Sequence, residues 1–237
     1  MKPVPNSKAR RIIERLNALD PAESGNSFLL RRLEQEARAA LGQDPVSGYG
    51  ALRTIATLRF DEEQMRVAAR HAIRLSDFNA PEPRLEFSYA LRTFGCLLEA
   101  SQQAEQASRA APRNAVAAEV CARFAFYAGC VREARRLIER YATLRPDVTL
   151  PYSYMVERLV KALDVAEISD AVLSDTVEAA MSMVRAARPW PIQMSNADRD
   201  PGRSSNARFV LRLRLGCSVD QARTIGTDID ALLDSHP

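Results

Sequence analysis

Residues 81–148 decide the fold, because they form two consecutive segments of 34 residues that align without a gap. The first reads PEPRLEFSYALRTFGCLLEASQQAEQASRAAPRN (81–114), and the second reads AVAAEVCARFAFYAGCVREARRLIERYATLRPDV (115–148). Each segment predicts a helix, a glycine turn, a second helix and a proline that ends it. Five landmark residues coincide at the offset of 34, among the positions that are identical in both segments: Gly95 and Gly129, Cys96 and Cys130, Glu99 and Glu133, Ala100 and Ala134, Pro112 and Pro146.

The shared residues each suit a pair of helices packed side by side. Gly95 and Gly129 allow the chain to reverse without a Cβ atom in the way. Ala100 and Ala134 allow the two helices of a pair to approach closely. The two prolines end the second helix, because proline has no backbone N–H to donate. We therefore expect two stacked helix pairs.

The period and the helix–turn–helix layout resemble the tetratricopeptide repeat (TPR). AGCVREA (128–134) is similar to that family's turn into its second helix, and LRP (144–146) is similar to its end. The resemblance implies a stack of antiparallel helix pairs with a binding groove along the first helices. Two usual features of the family's first helix are missing. Arg84 and Ala118 stand at the position of its large aromatic residue, and Ser88 and Ala122 stand at the position of its glycine.

Helical periodicity continues on both sides of these segments. Residues 50–81 align loosely with the repeat, so the resemblance covers about residues 45–148. The two helices before it are expected to act as a further pair or a cap, and those after Pro146 to close the stack. The six flanking helices are expected between Ser7 and Leu19, from Ser27 to Leu41, from Pro45 to Arg59, after Asp61, from Pro151 to Leu163, and from Ser169 to Arg188.

The chain after residue 188 has a different character. Phe209, Leu211, Leu213 and Leu215 alternate with other residues and predict a strand with one apolar face. A capping box beginning at Ser218 then predicts a final helix. The expected fold class is mainly α, a TPR-like antiparallel helix-pair solenoid with a small C-terminal β–α element. Its expected parts are a TPR-like helical-repeat domain (1–188), a linker or short strand (189–206) and a β–α tail (207–237).

A strand over residues 207–215 needs a partner, because a lone strand leaves its backbone N–H and C=O groups unpaired. The stronger option is the same strand of a second copy, which would make a two-fold homodimer. The other option is the short segment Pro191–Met194 of the same chain.

Composition places the chain among soluble globular proteins, with 46% hydrophobic and 27% charged residues and a net charge of +3. No stretch approaches the ~20 apolar residues of a membrane helix. No apolar secretion core follows Met1, and the four cysteines form no Cys-x-x-Cys pair. These features favour a reduced, bacterial-type cytoplasm.

Chemical motifs are scarce, so we expect no enzyme, no cofactor and no metal site. His71 and His236 are the only histidines. Gly48-Tyr49-Gly50 lacks the third glycine and the preceding strand of a dinucleotide site. Cys96 and Cys130 would lie on neighbouring helix pairs, about 8–10 Å apart, which is too far for a disulfide.

The candidate function is therefore binding of a peptide or partner protein, in a chaperone, adaptor or immunity-type role. The resemblance implies a groove lined by the exposed face of each unit's first helix. Aromatic residues interleaved with arginine are a composition typical of interaction hot spots. The implied partner-binding residues are Glu86, Tyr89, Arg92 and Thr93 in one unit, and Glu119, Arg123, Phe126 and Tyr127 in the next.

A nucleic-acid-binding regulator is the alternative function. Basic residues occur near the N-terminus, in SKARR (7–11), and along the C-terminal strand, at Arg203, Arg208, Arg212 and Arg214. Against it, the last 47 residues carry six bases and six acids, and no helix-turn-helix motif is present. Binding to duplex DNA that weakens as salt rises would favour this alternative.

Overall fold

The computed structural model describes residues 7–20, 25–187, 192–196, 211–215 and 217–235. Within these ranges the chain is mainly α-helical, which confirms the predicted class. The chain divides into two compact units, Met1–Ala90 and Leu91–Pro237. None of the helices in the described ranges is both long and apolar enough to cross a membrane.

In its described residues, 7–20 and 25–90, the first unit contains four helices and most of a fifth. Ser7, Asn26, Asp44 and Asp61 each begin a helix by accepting a hydrogen bond from its first turn, the usual role of an N-cap side chain. The helices are α1 (Lys8–Asn17), α2 (Ser27–Ala40), α3 (Pro45–Leu58), α4 (Glu62–Leu75) and α5 (Glu82–Thr93), within which the division between the units falls.

Helix α3 is the centre of this unit, since it contacts α1, α2 and α4. Apolar residues at helical spacing meet there, as the sequence pattern predicts. The core cluster consists of Ile12, Leu16, Leu30, Leu33, Ala37, Ala51 and Ile55.

The second unit continues with further antiparallel neighbours. Helix α6 contacts α7, α7 contacts α8, and α8 contacts α9. The elements are α6 (Leu97–Ala110), α7 (Ala115–Tyr127), α8 (Val131–Leu144), α9 (Ser153–Val165), α10 (Asp170–Ala186), β1 (Ile192–Asn196), β2 (Leu211–Leu215) and α11 (Val219–Ser235).

In the part of the chain that the structure describes, one type of turn occurs four times, between α3 and α4, α5 and α6, α7 and α8, and α9 and α10. In each, one residue takes a left-handed conformation, with φ of 54° at Phe60, 70° at Gly95, 80° at Gly129 and 55° at Glu167. The following N–H donates to the carbonyl five residues earlier, the hydrogen bond of a Schellman motif. The four bonds run from Asp61 to Ala56, Cys96 to Leu91, Cys130 to Ala125 and Ile168 to Leu163, at 2.9–3.0 Å.

The turn at Glu167 yields a stability prediction. A left-handed conformation costs a residue with a Cβ about 1–2 kcal/mol, whereas glycine adopts it freely. We expect Glu167→Gly to raise the free energy of unfolding by about 0.5–1 kcal/mol, because part of that relief is offset by glycine's greater freedom in the unfolded chain.

The matched control is Glu157→Gly, which makes the same change at an exposed position inside α9. It should lower the free energy of unfolding by about 1 kcal/mol, since glycine is a poor helix former. Urea denaturation of both variants provides the measurement. A loss of stability in Glu167→Gly would contradict the prediction.

Helix α10 departs from the stacking pattern, because it lies across the turns of two preceding helix pairs. At one end, its Leu173 and Ser174 backbone lies 3.0 Å from the place that a Cβ on Gly129 would occupy. At the other end, Arg185 Nη1 donates to the Gly95 carbonyl at 3.0 Å. The helix between these contacts is about 16 Å long, close to the spacing of two helix pairs. Helix α9 thus extends the stack onto α8, whereas α10 follows the edge of the turns instead of closing the stack.

Two sets of contacts fix α10 in this position. Val177, Met181 and Val184 pack in one apolar cluster with Leu97 and Ala128. Arg132, at the start of α8, is the polar anchor at the other end. Its guanidinium donates to Asp164, Asp170 and the Ile168 carbonyl, and its backbone N–H donates to Asp170.

The two C-terminal strands pair antiparallel, with Ile192 opposite Leu215 and Asn196 opposite Leu211. The strand at 211–215 therefore finds its partner in its own chain. This is the intrachain option that the sequence left open, and pairing with a second copy stays a prediction. Residues 207–210 of the predicted strand lie outside the described residues.

Candidate partner-binding surface

The exposed face of α7 is a narrow strip in a helix that is otherwise buried. Val116, Glu119 and Arg123 lie three and four residues apart, so they share one side of the helix. Val116 is 63% exposed, and the two charged residues are half-buried. Most other residues of the helix belong to the core, including Val120, Cys121 and Phe124. The strip is the part of α7 available to a partner.

Glu119 and Arg123 form an ion pair one turn apart on this strip. Their side chains are 17% and 32% exposed, so both charges are partly shielded from water. Tyr152, just before α9, donates its hydroxyl hydrogen to the Glu119 carbonyl at 3.1 Å. The pair therefore sits on a surface held in place by the neighbouring helix.

Aromatic side chains form a floor beneath the strip. The Phe126 ring stacks on Tyr152, with ring centres 6.2 Å apart and planes at 10°. Tyr127 lies 6.3 Å from Phe126 and meets Phe124 edge-on. Burial raises the pKa of Tyr152 above its usual range. These contacts are those of a packed core.

The expectation that Phe126 faces solvent is therefore wrong. Phe126 is 4% exposed and Tyr127 is 6% exposed. The reason is the approach of the segment before α9, whose Tyr152 covers Phe126. Both residues support the surface from below, whereas Glu119 and Arg123 remain accessible on it.

In the first unit, the structure places Glu86 beside an arginine that the sequence analysis did not single out. Arg53 of α3 is 5% exposed, and its guanidinium donates to Glu86 Oε2 at 2.6 Å. Gly50, one turn earlier on α3, lies beside this carboxylate, whose Oε2 is 3.8 Å from the place that a Cβ would take, an ordinary contact distance. The signal available in the sequence was an arginine among the small residues of α3, Gly48, Gly50, Ala51 and Ala56.

The other three expected groove residues, Tyr89, Arg92 and Thr93, are half-buried on α5. The half-exposed Glu86 carboxylate and its buried partner Arg53 thus define a second candidate contact point. It belongs to the first unit, whereas the α7 strip belongs to the second.

His71 and the cysteines have structural surroundings. The His71 ring stacks on Tyr49 at 4.6 Å, and Arg74 lies 3.1 Å from its Nδ1. Cys121 is buried in the core, and burial raises its pKa to about 12. All four cysteines are free thiols. Among the described residues, no group of three or more His, Cys, Asp or Glu side chains is arranged to hold a metal ion.

The sequence matches no protein family and no curated protein.

Proposed function

We propose that this chain is a non-catalytic protein-interaction module of TPR-like helix pairs, working in the cytoplasm. One observation carries the proposal: within the described residues, the same left-handed turn links consecutive helices at four places along the chain. Repetition of one supersecondary unit builds extended surfaces whose use is contact with other chains. The partner class is a peptide or protein, which fits a chaperone, adaptor or immunity-type role.

The contact surface is proposed on the first helices of the pairs. In the second unit it consists of Val116, Glu119 and Arg123 above the aromatic floor. A half-buried ion pair on a rigid base costs little entropy to hold, so it can set the specificity of a complex. In the first unit, Glu86 held by Arg53 supplies a further charged contact.

The experiment that tests this begins with the partner. The chain is affinity-purified from its native host, and the proteins that co-purify are identified by mass spectrometry. The best candidate is then produced separately, and its affinity for the wild-type chain is measured by calorimetry.

The decisive variant exchanges the charges of the strip, Glu119→Arg with Arg123→Glu. The exchange preserves an ion pair within α7, so we expect wild-type helicity and thermal stability. We expect affinity for the partner to fall about tenfold or more, because like charges would then face each other across the interface.

The matched control makes the same exchange in α8, Glu133→Arg with Arg136→Glu, where an exposed pair is three residues apart. This variant should bind the partner like wild type. Equal loss in both variants, or no loss in the α7 variant, would remove the strip from the interface. Salt-dependent binding to random duplex DNA, with no protein partner, would replace the proposal by the nucleic-acid alternative.

A further inference from the structure

A cleft in the first unit lies along α3. Helix α3 forms its floor, and α2 and α4 form its walls. It encloses about 220 Å³, less than the roughly 300–1,000 Å³ of pockets for drug-sized ligands. The lining residues are Glu34 and Arg38 of α2, Tyr49, Leu52, Ile55, Ala56 and Arg59 along α3, and Asp61, Gln64, Val67 and Ala68 at and within α4.

The floor and one wall of the cleft are apolar. Leu52 and Ala56 lie one turn apart on α3, and Val67 faces them from α4 while remaining 38% exposed. Tyr49 lines the cleft one turn before Leu52, and its ring is held by stacking on His71. An exposed valine beside an apolar floor gives a short hydrocarbon chain a place to bury.

The other end of the cleft carries two arginines that share one carboxylate. Arg38 donates to Glu34 Oε1 and Arg59 donates to Glu34 Oε2, both at 2.5 Å. Desolvation acts to raise the pKa of Glu34, but the hydrogen bonds and positive charges of Arg59 and Arg38 outweigh it. The pKa of Glu34 is therefore lowered. Glu34 itself therefore shows how this end holds a carboxylate on an aliphatic chain.

The remaining hydrogen-bonding capacity at this end favours an acceptor. A guanidinium has five N–H donors. Within the described residues, Arg38 and Arg59 each donate one hydrogen bond, in both cases to Glu34. Both Glu34 oxygens are already engaged, and Asp61 Oδ1 accepts from the Gln64 N–H. Spare N–H donors thus outnumber spare acceptor oxygens at this end, where Glu34 and Asp61 balance the charges of Arg38 and Arg59 and the Arg38 side chain is 66% exposed.

We propose that this cleft binds a short apolar chain that ends in a carboxylate. The hydrocarbon part lies along Leu52, Ala56 and Val67, and the carboxylate accepts hydrogen bonds from Arg38 and Arg59 beside Glu34. Such a ligand is either a free short-chain acid or the C-terminal residue of a peptide. The proposal is independent of the partner-binding surface, since it uses none of the same residues.

Methyl NMR of the full chain tests this, with hexanoate as the probe for a free acid and N-acetylleucine as the probe for a peptide C-terminus. We expect saturable shifts at the Leu52, Ile55 and Val67 methyls with at least one of them. The probe that binds with the higher affinity shows whether the natural ligand is a free acid or a peptide C-terminus. Hexylammonium and N-acetylleucinamide, which lack the carboxylate, should leave these methyls unshifted.

Two variants make the result specific. Arg59→Gln should lower the affinity for the acid about tenfold, as expected for the loss of one charge-assisted hydrogen bond. Arg32→Gln is its matched control, because Arg32 also pairs with a glutamate of α2 but does not line the cleft. Val67→Phe narrows the cleft and leaves both arginines in place, and it should abolish the shifts at Leu52 and Ile55. It tests the site independently should Arg59→Gln prove unstable.

Three outcomes would overturn the proposal. They are an absence of saturable shifts with either acid, equal shifts with hexylammonium, and unchanged affinity in both the Arg59→Gln and Val67→Phe variants. None of these bears on the partner-binding surface of α7, so the two proposals fail separately.

Discussion

Replacing Phe126 by alanine is expected to lower the free energy of unfolding by about 3–5 kcal/mol. Phe126 is 4% exposed, and its ring stacks on Tyr152. The change removes most of a buried ring and leaves a cavity between α7 and the segment that leads into α9. Chemical denaturation followed by circular dichroism gives the measurement.

Val116→Ala is the control on the same helix, and it should change stability by less than about 0.5 kcal/mol because Val116 is 63% exposed. Arg123→Ala should likewise leave the fold intact while weakening partner binding. A Phe126→Ala variant with near-wild-type stability would show that the ring faces solvent and would restore Phe126 to the accessible surface.

Gly129→Ala is expected to cost about 2–4 kcal/mol for two separate reasons. Its φ of 80° is the left-handed conformation that residues with a Cβ adopt only with strain. In addition, the new Cβ would lie 3.0 Å from the backbone of Leu173 and Ser174 in α10. Backbone atoms inside a helix cannot move aside like a flexible side chain, so α10 must shift away from the turn.

The matched control is Gly226→Ala, inside α11, where a new Cβ meets nothing within 4 Å. There the same substitution should stabilise the protein by about 0.5–1 kcal/mol, because alanine is the better helix former. Opposite signs for the two variants would support the path of α10 across the Gly129 turn. A Gly129→Ala variant as stable as wild type would place α10 elsewhere.

Sequence reasoning predicted the helices well but only two of the four left-handed turns that the structure describes between consecutive helices. Gly95 and Gly129 predict a left-handed backbone conformation, because glycine is the residue that usually adopts it. Phe60 and Glu167 adopt the same conformation without any such signal. Local propensity argues against a phenylalanine or glutamate there, and only the packing of the helices on either side imposes it. The turns at Phe60 and Glu167 were therefore not recognised as copies of the two glycine turns.

The candidate surface was predictable in its position and less so in its exposure. Glu119 and Arg123 do lie on the open side of α7, as their spacing predicts. Phe126 shares that side in a helical projection, but Tyr152, a residue from beyond the repeat, covers it. Arg53 was missed because its importance comes from burial beside Glu86, which depends on a contact between residues far apart in sequence.

The course of α10 also bears on how the second unit can change. A plain repeat array tolerates gain or loss of a unit, because each repeat contacts only its neighbours. Here one helix is bound to two successive turns, through Ser174 beside Gly129 and Arg185 on Gly95. Inserting or deleting a 34-residue unit between them would leave one end of α10 without its anchor. The number of repeats in this unit is thus fixed by the length of a helix outside them, and the turns, helix pairs and α10 should unfold together rather than one pair at a time.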